Sequence, residues 1–163
     1  MGAEPDFVLE IDCLGSCLYV RGVDADGTAL PVLMRGAGLA YAAAVRQALA
    51  EVGYDDLPRD GAFVLSVIAP PGVPLGTVIE RLGISKQAAG ALVDKLADRN
   101  YLRRVADPWD RRQHRVRLTA RGADAAAVIR GAVEQIDAKL VARVGEEYLA
   151  HTLATLTTLI ADA

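Results

Sequence analysis

Apolar residues recur at helical intervals through most of the chain, and the breaks fall at glycine and proline. Residues 33–52 are alanine-rich with helical spacing, weakened by Gly36 and Gly38 and closed by Gly53. Pro31 stands where that helix can begin. Residues 61–69 form a short apolar helix that Pro70-Pro71-Gly72 stops. Pro74 opens the next helix, with Leu75, Val78, Ile79 and Leu82 as its apolar positions, and Gly83 ends it. Ser85 is a good N-cap for a helix from Lys86 that buries Ala89, Leu92, Val93 and Leu96, spaced i, i+3, i+4 and i+7. Asn100 suits a left-handed cap. Helix, tight glycine turn, helix: residues 74–100 predict a helix-turn-helix.

The hydrophobic period then shortens to two. Residues 101–105 predict a strand and Asp107-Pro108-Trp109-Asp110 a turn. Residues 115–119 predict a second strand, with Val116 and Leu118 on one face and Arg115 and Arg117 on the other. This is a two-stranded wing. Thr119 caps a long helix over 120–144, in which Ile129, Val133, Ile136, Leu140 and Val144 follow one another three or four residues apart. A last helix from Glu146 carries Leu149, Leu153, Leu156 and Ile160. These stripes offer more apolar surface than one winged helix covers, so an obligate homodimer is expected. The fold class is therefore mainly α (α+β), with long terminal helices around the wing. Residues 1–33 read differently. Short β-leaning runs at 7–11 and 17–20, with a turn at Asp24-Ala25-Asp26-Gly27, predict a small hairpin in an extension ahead of the main domain, 34–163.

Charge sharpens this picture. The chain has 163 residues, 18 Lys and Arg against 21 Asp and Glu, and a net charge of -3. From Lys86 to Arg121, ten basic residues face four acidic ones, so this segment is +6 and the remainder -9. An acidic body with one arginine-rich strip is the footprint of a phosphate-binding face. Hydrophobic residues make up 52%, enough for a packed core. The longest apolar run, residues 37–45, is far shorter than the roughly 20 residues a membrane span needs. With no secretory signal in view, a cytoplasmic protein is expected.

Catalytic chemistry finds no support. His114 and His151 lie far apart with no clustered partners, so no metal site is expected. Ser66 and Ser85 lack a His or Asp in motif context, and no glycine loop sits in a βαβ setting. Cys13 and Cys17 on a strand would be ~13 Å apart, too far to bridge, and read as buried small hydrophobes. Neither an enzyme nor a cofactor is expected.

The wing is the most specific feature. Asp107-Pro108-Trp109-Asp110-Arg111-Arg112, then Val116-Arg117-Leu118-Thr119-Ala120-Arg121-Gly122, resembles the D-P-x-D-R-R … V-x-L-T-x-x-G signature of the MarR (multiple antibiotic resistance regulator) family of transcription factors. Ile84-Ser85-Lys86 and Leu92-Val93-Asp94-Lys95-Leu96 are similar to that family's recognition helix. The resemblance covers residues 34–162. It implies a dimeric transcriptional regulator, a repressor on a palindromic operator in double-stranded DNA, released by a small aromatic effector. On that resemblance Ser85, Lys86, Gln87, Ala88, Gly90 and Lys95 of the recognition helix would face DNA, together with Arg103, Arg111, Arg112 and Arg115 of the wing. Asp110 would pair with Arg112 and stiffen the wing, and Trp109 would report its docking. The effector would lie where the dimer helices meet the winged helix, at Tyr41, Val45, Phe63 and Val67. One departure stands out. Ala88, Gly90 and Ala91 occupy a face where the family usually carries Ser, Thr or Arg. They allow close approach but no bidentate base contact, so readout would rest on Lys86, Gln87, the wing or DNA shape. The same small face keeps an alternative open: a winged-helix protein-interaction or ligand-binding module without DNA binding. Such a module has no need of an arginine-rich wing.

Overall fold

The computed structural model describes residues 29–107 and 114–161. The predicted hairpin, Cys13 and Cys17 lie outside the described residues, as do Trp109, Asp110, Arg111 and Arg112. Helix α1 spans Leu30–Glu51, and the chain divides within it into two compact units, Met1–Leu39 and Ala40–Ala163. The first contributes residue 29 and the opening turns of α1 to the described structure. The second holds every other described element and the hydrophobic core. In order these are α2 (Gly61–Val67), β1 (Val73–Pro74), α3 (Leu75–Leu82), α4 (Lys86–Asp98), β2 (Leu102–Ala106), β3 (His114–Leu118), α5 (Ala120–Val144) and α6 (Glu146–Ala161).

Local chemistry sets the corners of the helix-turn-helix. Gly83 ends α3 at φ +60°, and its N–H donates to the Ile79 and Glu80 carbonyls. Ser85 caps α4, its Oγ accepting the Ala88 N–H at 3.2 Å. Asn100 turns the chain at φ +59°, so that the Tyr101 N–H reaches back to the Leu96 carbonyl at 2.9 Å. Ala89, Val93 and Leu96 are fully buried on the inner face of α4, and Val93 and Leu96 join Val64, Leu65, Val78 and Tyr101 in the core.

The sheet differs from expectation by one strand. β2 and β3 pair antiparallel, Leu102 opposite Leu118 and Arg104 opposite Val116. β1 adds to the other edge of β3, Val73 opposite Val116, giving the order β1-β3-β2. A strand of two residues shows no alternation, and Pro74 lacks an N–H to donate, so nothing in the local pattern announces it. The strand hidden beside Pro70-Pro71-Gly72 joins the wing to the start of α3.

The start of α5 is welded to the end of the helix-turn-helix. Thr119 caps α5 by accepting the Gly122 N–H at 3.0 Å, and its own N–H donates to the Tyr101 carbonyl at 3.0 Å. Gly122 lies so close to that carbonyl that a Cβ would sit 1.9 Å from the Tyr101 oxygen. Only glycine fits. Ile129, expected on the dimer stripe, is instead 5% exposed within the core of the single chain, with Val133 packed against it. Its stripe is covered at the α2 end by the chain's own helices. Beyond it Val144 is half exposed, and α6 has no buried residue.

Candidate nucleic-acid interface

Burying Ala89, Val93 and Leu96 turns the opposite face of α4 outward. Lys86, Gln87, Ala88, Ala91, Asp94 and Lys95 are exposed there, and Gly90 is half-buried. Ser85 is exposed too, but its hydroxyl is engaged as the cap. The structure thus brings together the recognition-helix residues singled out in the sequence, with two turns of helix between Lys86 and Lys95. A Cβ placed on Gly90 would meet nothing within 4 Å. Among the described residues no neighbour requires that glycine.

The arginines of the basic strip divide into two groups. Arg103 on β2 is exposed. Three others are tied into the frame. Arg104 donates to Asp94 on α4 at 2.6 Å, joining β2 to the recognition helix. Arg115 donates to Asp107 at 3.1 Å and to the Gly72 carbonyl at 2.6 Å, and its side chain is only 20% exposed. It therefore braces the base of the wing against the segment ahead of β1. Arg121 donates to the Arg99 carbonyl and to Asp56, both at 2.8 Å. Its guanidinium lies 4.4 Å from the Tyr101 ring centroid and 5.8 Å from that of Tyr54. Asp94 and Asp56 are the partners of two of these arginines that pattern reading missed. They lie 10 and 65 residues from their arginines, beyond any local periodicity.

Protonation follows from these contacts. The Tyr101 hydroxyl donates to Asp56 at 2.6 Å. Burial pushes the phenol up to about 12, helped by the bond to Asp56 and its charge, with Arg121 opposing. The same hydrogen bond, with the charge of Arg121, holds the Asp56 carboxyl below the usual carboxylate range against a smaller desolvation cost. Tyr41 is held on α1 by donating to Asp137 of α5. That bond, more than burial, raises its phenol to about 12.

The expected effector residues do not line one space. Val45 is in the core, Phe63 is 61% exposed, Val67 is half-buried and the Tyr41 hydroxyl is committed to Asp137. None of the four lines the cleft of about 180 Å³ that opens between α1 and α5. Ala48 and Ile136 contribute its apolar lining, with Glu51, Gln135 and Lys139 among its polar groups. Among the described residues no group of three or more His, Cys, Asp or Glu could hold a metal ion, and no helix is long and apolar enough to cross a membrane.

Comparison with known proteins matches this geometry. A sequence profile described as MarR family matches residues 57–113, the segment from just before α2 through the helix-turn-helix and β2 to the wing. No curated protein matches the sequence. Among solved structures, the chain is similar to the transcriptional regulator SlyA, with a TM-score of 0.70 at 15% identity over 83% of this chain and 94% of that one. It is similar to BpsR of Bordetella bronchiseptica, whose DNA binding is regulated by 6-hydroxynicotinic acid, with a TM-score of 0.64 at 21% identity over 87% and 99%. It is also similar to the transcriptional repressor CouR bound to a 23-mer DNA duplex, with a TM-score of 0.64 at 26% identity over 80% and 92%.

Proposed function

We infer that this chain, whose residues 57–113 match the MarR family profile, is a winged helix-turn-helix regulator of that family and acts as a homodimeric repressor on a palindromic DNA operator. The observation that carries the reading is the outward face of α4, from Lys86 to Lys95, beside an arginine-rich wing. Both belong to the segment 86–121, which is +6 in a chain whose remainder is -9. Lys86, Gln87 and Ala88 enter the major groove, with Gly90 and Ala91 allowing close approach. Lys95 and Arg103 serve phosphates. Arg111 and Arg112, assigned from the sequence, take the adjacent minor groove, with Asp110 pairing Arg112. Arg115 serves DNA indirectly, by shaping the base of the wing. The dimer is supported by α6, where Tyr148, Leu153, Leu159 and Ile160 are 50–73% exposed along one 16-residue helix. Two copies place two recognition helices about one helical turn of DNA apart.

A small aromatic acid is the effector class we favour. The cleft between α1 and α5, with Lys139 as a cation for a carboxylate, seats it better than Tyr41, Val45, Phe63 and Val67 do, because Val45 fills the core. The test of the whole reading is a fluorescence-anisotropy titration of duplex DNA at several salt concentrations. The logarithm of affinity should fall by roughly 0.9 per neutralised phosphate for each unit in log salt. 6-Hydroxynicotinic acid and related aromatic acids should weaken binding and raise the melting temperature. A flat salt response rejects DNA binding. A panel without effect rejects the effector alone.

A further inference from the structure

Counting charge would place Arg121 among the phosphate contacts, since it closes the +6 segment. Its geometry gives it other work. The side chain leaves the first turn of α5 and its two terminal nitrogens are spent on different segments. One satisfies the Arg99 carbonyl at the C-cap of α4 and the other the Asp56 carboxylate, which enters from between α1 and α2. The last carbonyls of a helix have no partner within it, so this bond supplies one of them from another helix. The guanidinium plane rests against Tyr101, which is fully buried and itself donates to Asp56. Behind this joint the backbone has no slack, because Gly122 and Thr119 already press on the Tyr101 carbonyl.

We propose that Arg121 is a positioning residue for DNA reading: it grips the C-terminal end of the recognition helix from α5 and so sets the angle at which α4 meets DNA, without touching DNA itself. This rests on the DNA-binding function proposed above. The residues offered to the bases lie at the opposite end of α4, which at about 1.5 Å per residue is roughly 20 Å away. A tilt of about 5° at the grip would move that first turn by ~2 Å, enough to spoil hydrogen bonds to base edges while leaving backbone attraction intact. The fork is what matters, because a lysine keeps the charge but cannot span a carbonyl and a carboxylate in one plane.

The experiment uses the full chain, a duplex enriched by the wild type from a random pool, and a scrambled duplex. Arg121→Lys should bind the enriched duplex at least tenfold more weakly, yet keep wild-type affinity for the scrambled duplex and the wild-type salt slope. Asp56→Ala should weaken specific binding as well, although removing an acid near the basic strip favours DNA electrostatically. In both variants hydrogen exchange at the amides of Arg99, Asn100 and Tyr101 should speed up. If Arg121→Lys binds like the wild type while Arg121→Gln loses affinity for both duplexes with a slope shallower by about 1.8, one phosphate for each protomer of the proposed dimer, Arg121 is a phosphate contact and the proposal fails. A lower melting temperature with an unchanged ratio of specific to non-specific affinity reduces the residue to a structural brace and also overturns it. Unchanged exchange at residues 99–101 shows that there is no grip. A wild type that enriches no duplex removes the DNA reading and the positioning role with it, and the exchange data then still report whether the grip itself exists.

Discussion

Helices α4 and α6 are of similar length and carry similar apolar spacing, but the chain treats them oppositely. α4 has both ends capped, a fully buried face at Ala89, Val93 and Leu96, and a charged tie to the wing through Asp94 and Arg104. α6 buries nothing. Leu153, Leu159 and Ile160 face water in the single chain while Leu149 and Leu156 are half-buried, and its four threonines between Thr152 and Thr158 bond back to carbonyls one turn earlier. The contrast separates two kinds of stability. The winged helix is completed by its own chain, whereas α6 carries an apolar face that a single copy leaves uncovered. Under the proposed function, the frame that would read DNA is complete in one copy, and α6 is the part that a second copy would cover.

The largest effect should come from breaking the frame at its tightest point. Gly122→Ala drives a Cβ into the Tyr101 carbonyl and should destabilise the protein by ~3 kcal/mol or more, read as a lower urea midpoint. If the variant is as stable as the wild type, the weld between α5 and the helix-turn-helix is misplaced. The mirror experiment is on α6. Leu153→Asp with Ile160→Asp should raise the dimer dissociation constant by at least about a hundredfold, ~2.7 kcal/mol, while the winged-helix amides keep their hydrogen-exchange protection. Loss of that protection would mean that the two regions are not energetically separate.

Smaller effects distinguish what α4 needs for folding from what it needs outside the fold. Ser85→Ala removes the cap and should cost ~1 kcal/mol. Gly90→Ala has open space around it and should stabilise the protein by up to about 1 kcal/mol through helix propensity, while weakening DNA binding if the helix must approach closely. A variant that is both more stable and an equal DNA binder would show that the small face is incidental. The smallest effect is alkaline. The fold pushes the Tyr101 and Tyr41 phenols up to about 12, above the roughly 10 of an unfolded tyrosine. Their contribution is therefore complete below about pH 10 and is lost as pH rises towards 12. Replacing both by phenylalanine should flatten the fall of the urea midpoint in that window, which a series of denaturation curves at rising pH will measure.

Features that depend on near neighbours are legible in the chain alone. Gly83, Ser85, Asn100 and Thr119 announce their turns and caps because a cap bond spans only three or four residues, and the inner face of α4 follows from its spacing. Periodicity also located the stripe on α5 and α6, but not what covers it. Ile129 proved to face the chain's own core, because an apolar stripe looks the same whether it packs within one copy or between two. The arginines were sorted by folding rather than by pattern. Arg104, Arg115 and Arg121 read alike as members of one basic strip, yet each is fixed by an acid or a carbonyl that folding brings from 8 to 65 residues away. A guanidinium carries its charge in the sequence. Whether that charge is offered to DNA or held within the frame depends on which acceptors the folded backbone sets within about 3 Å of its planar fork.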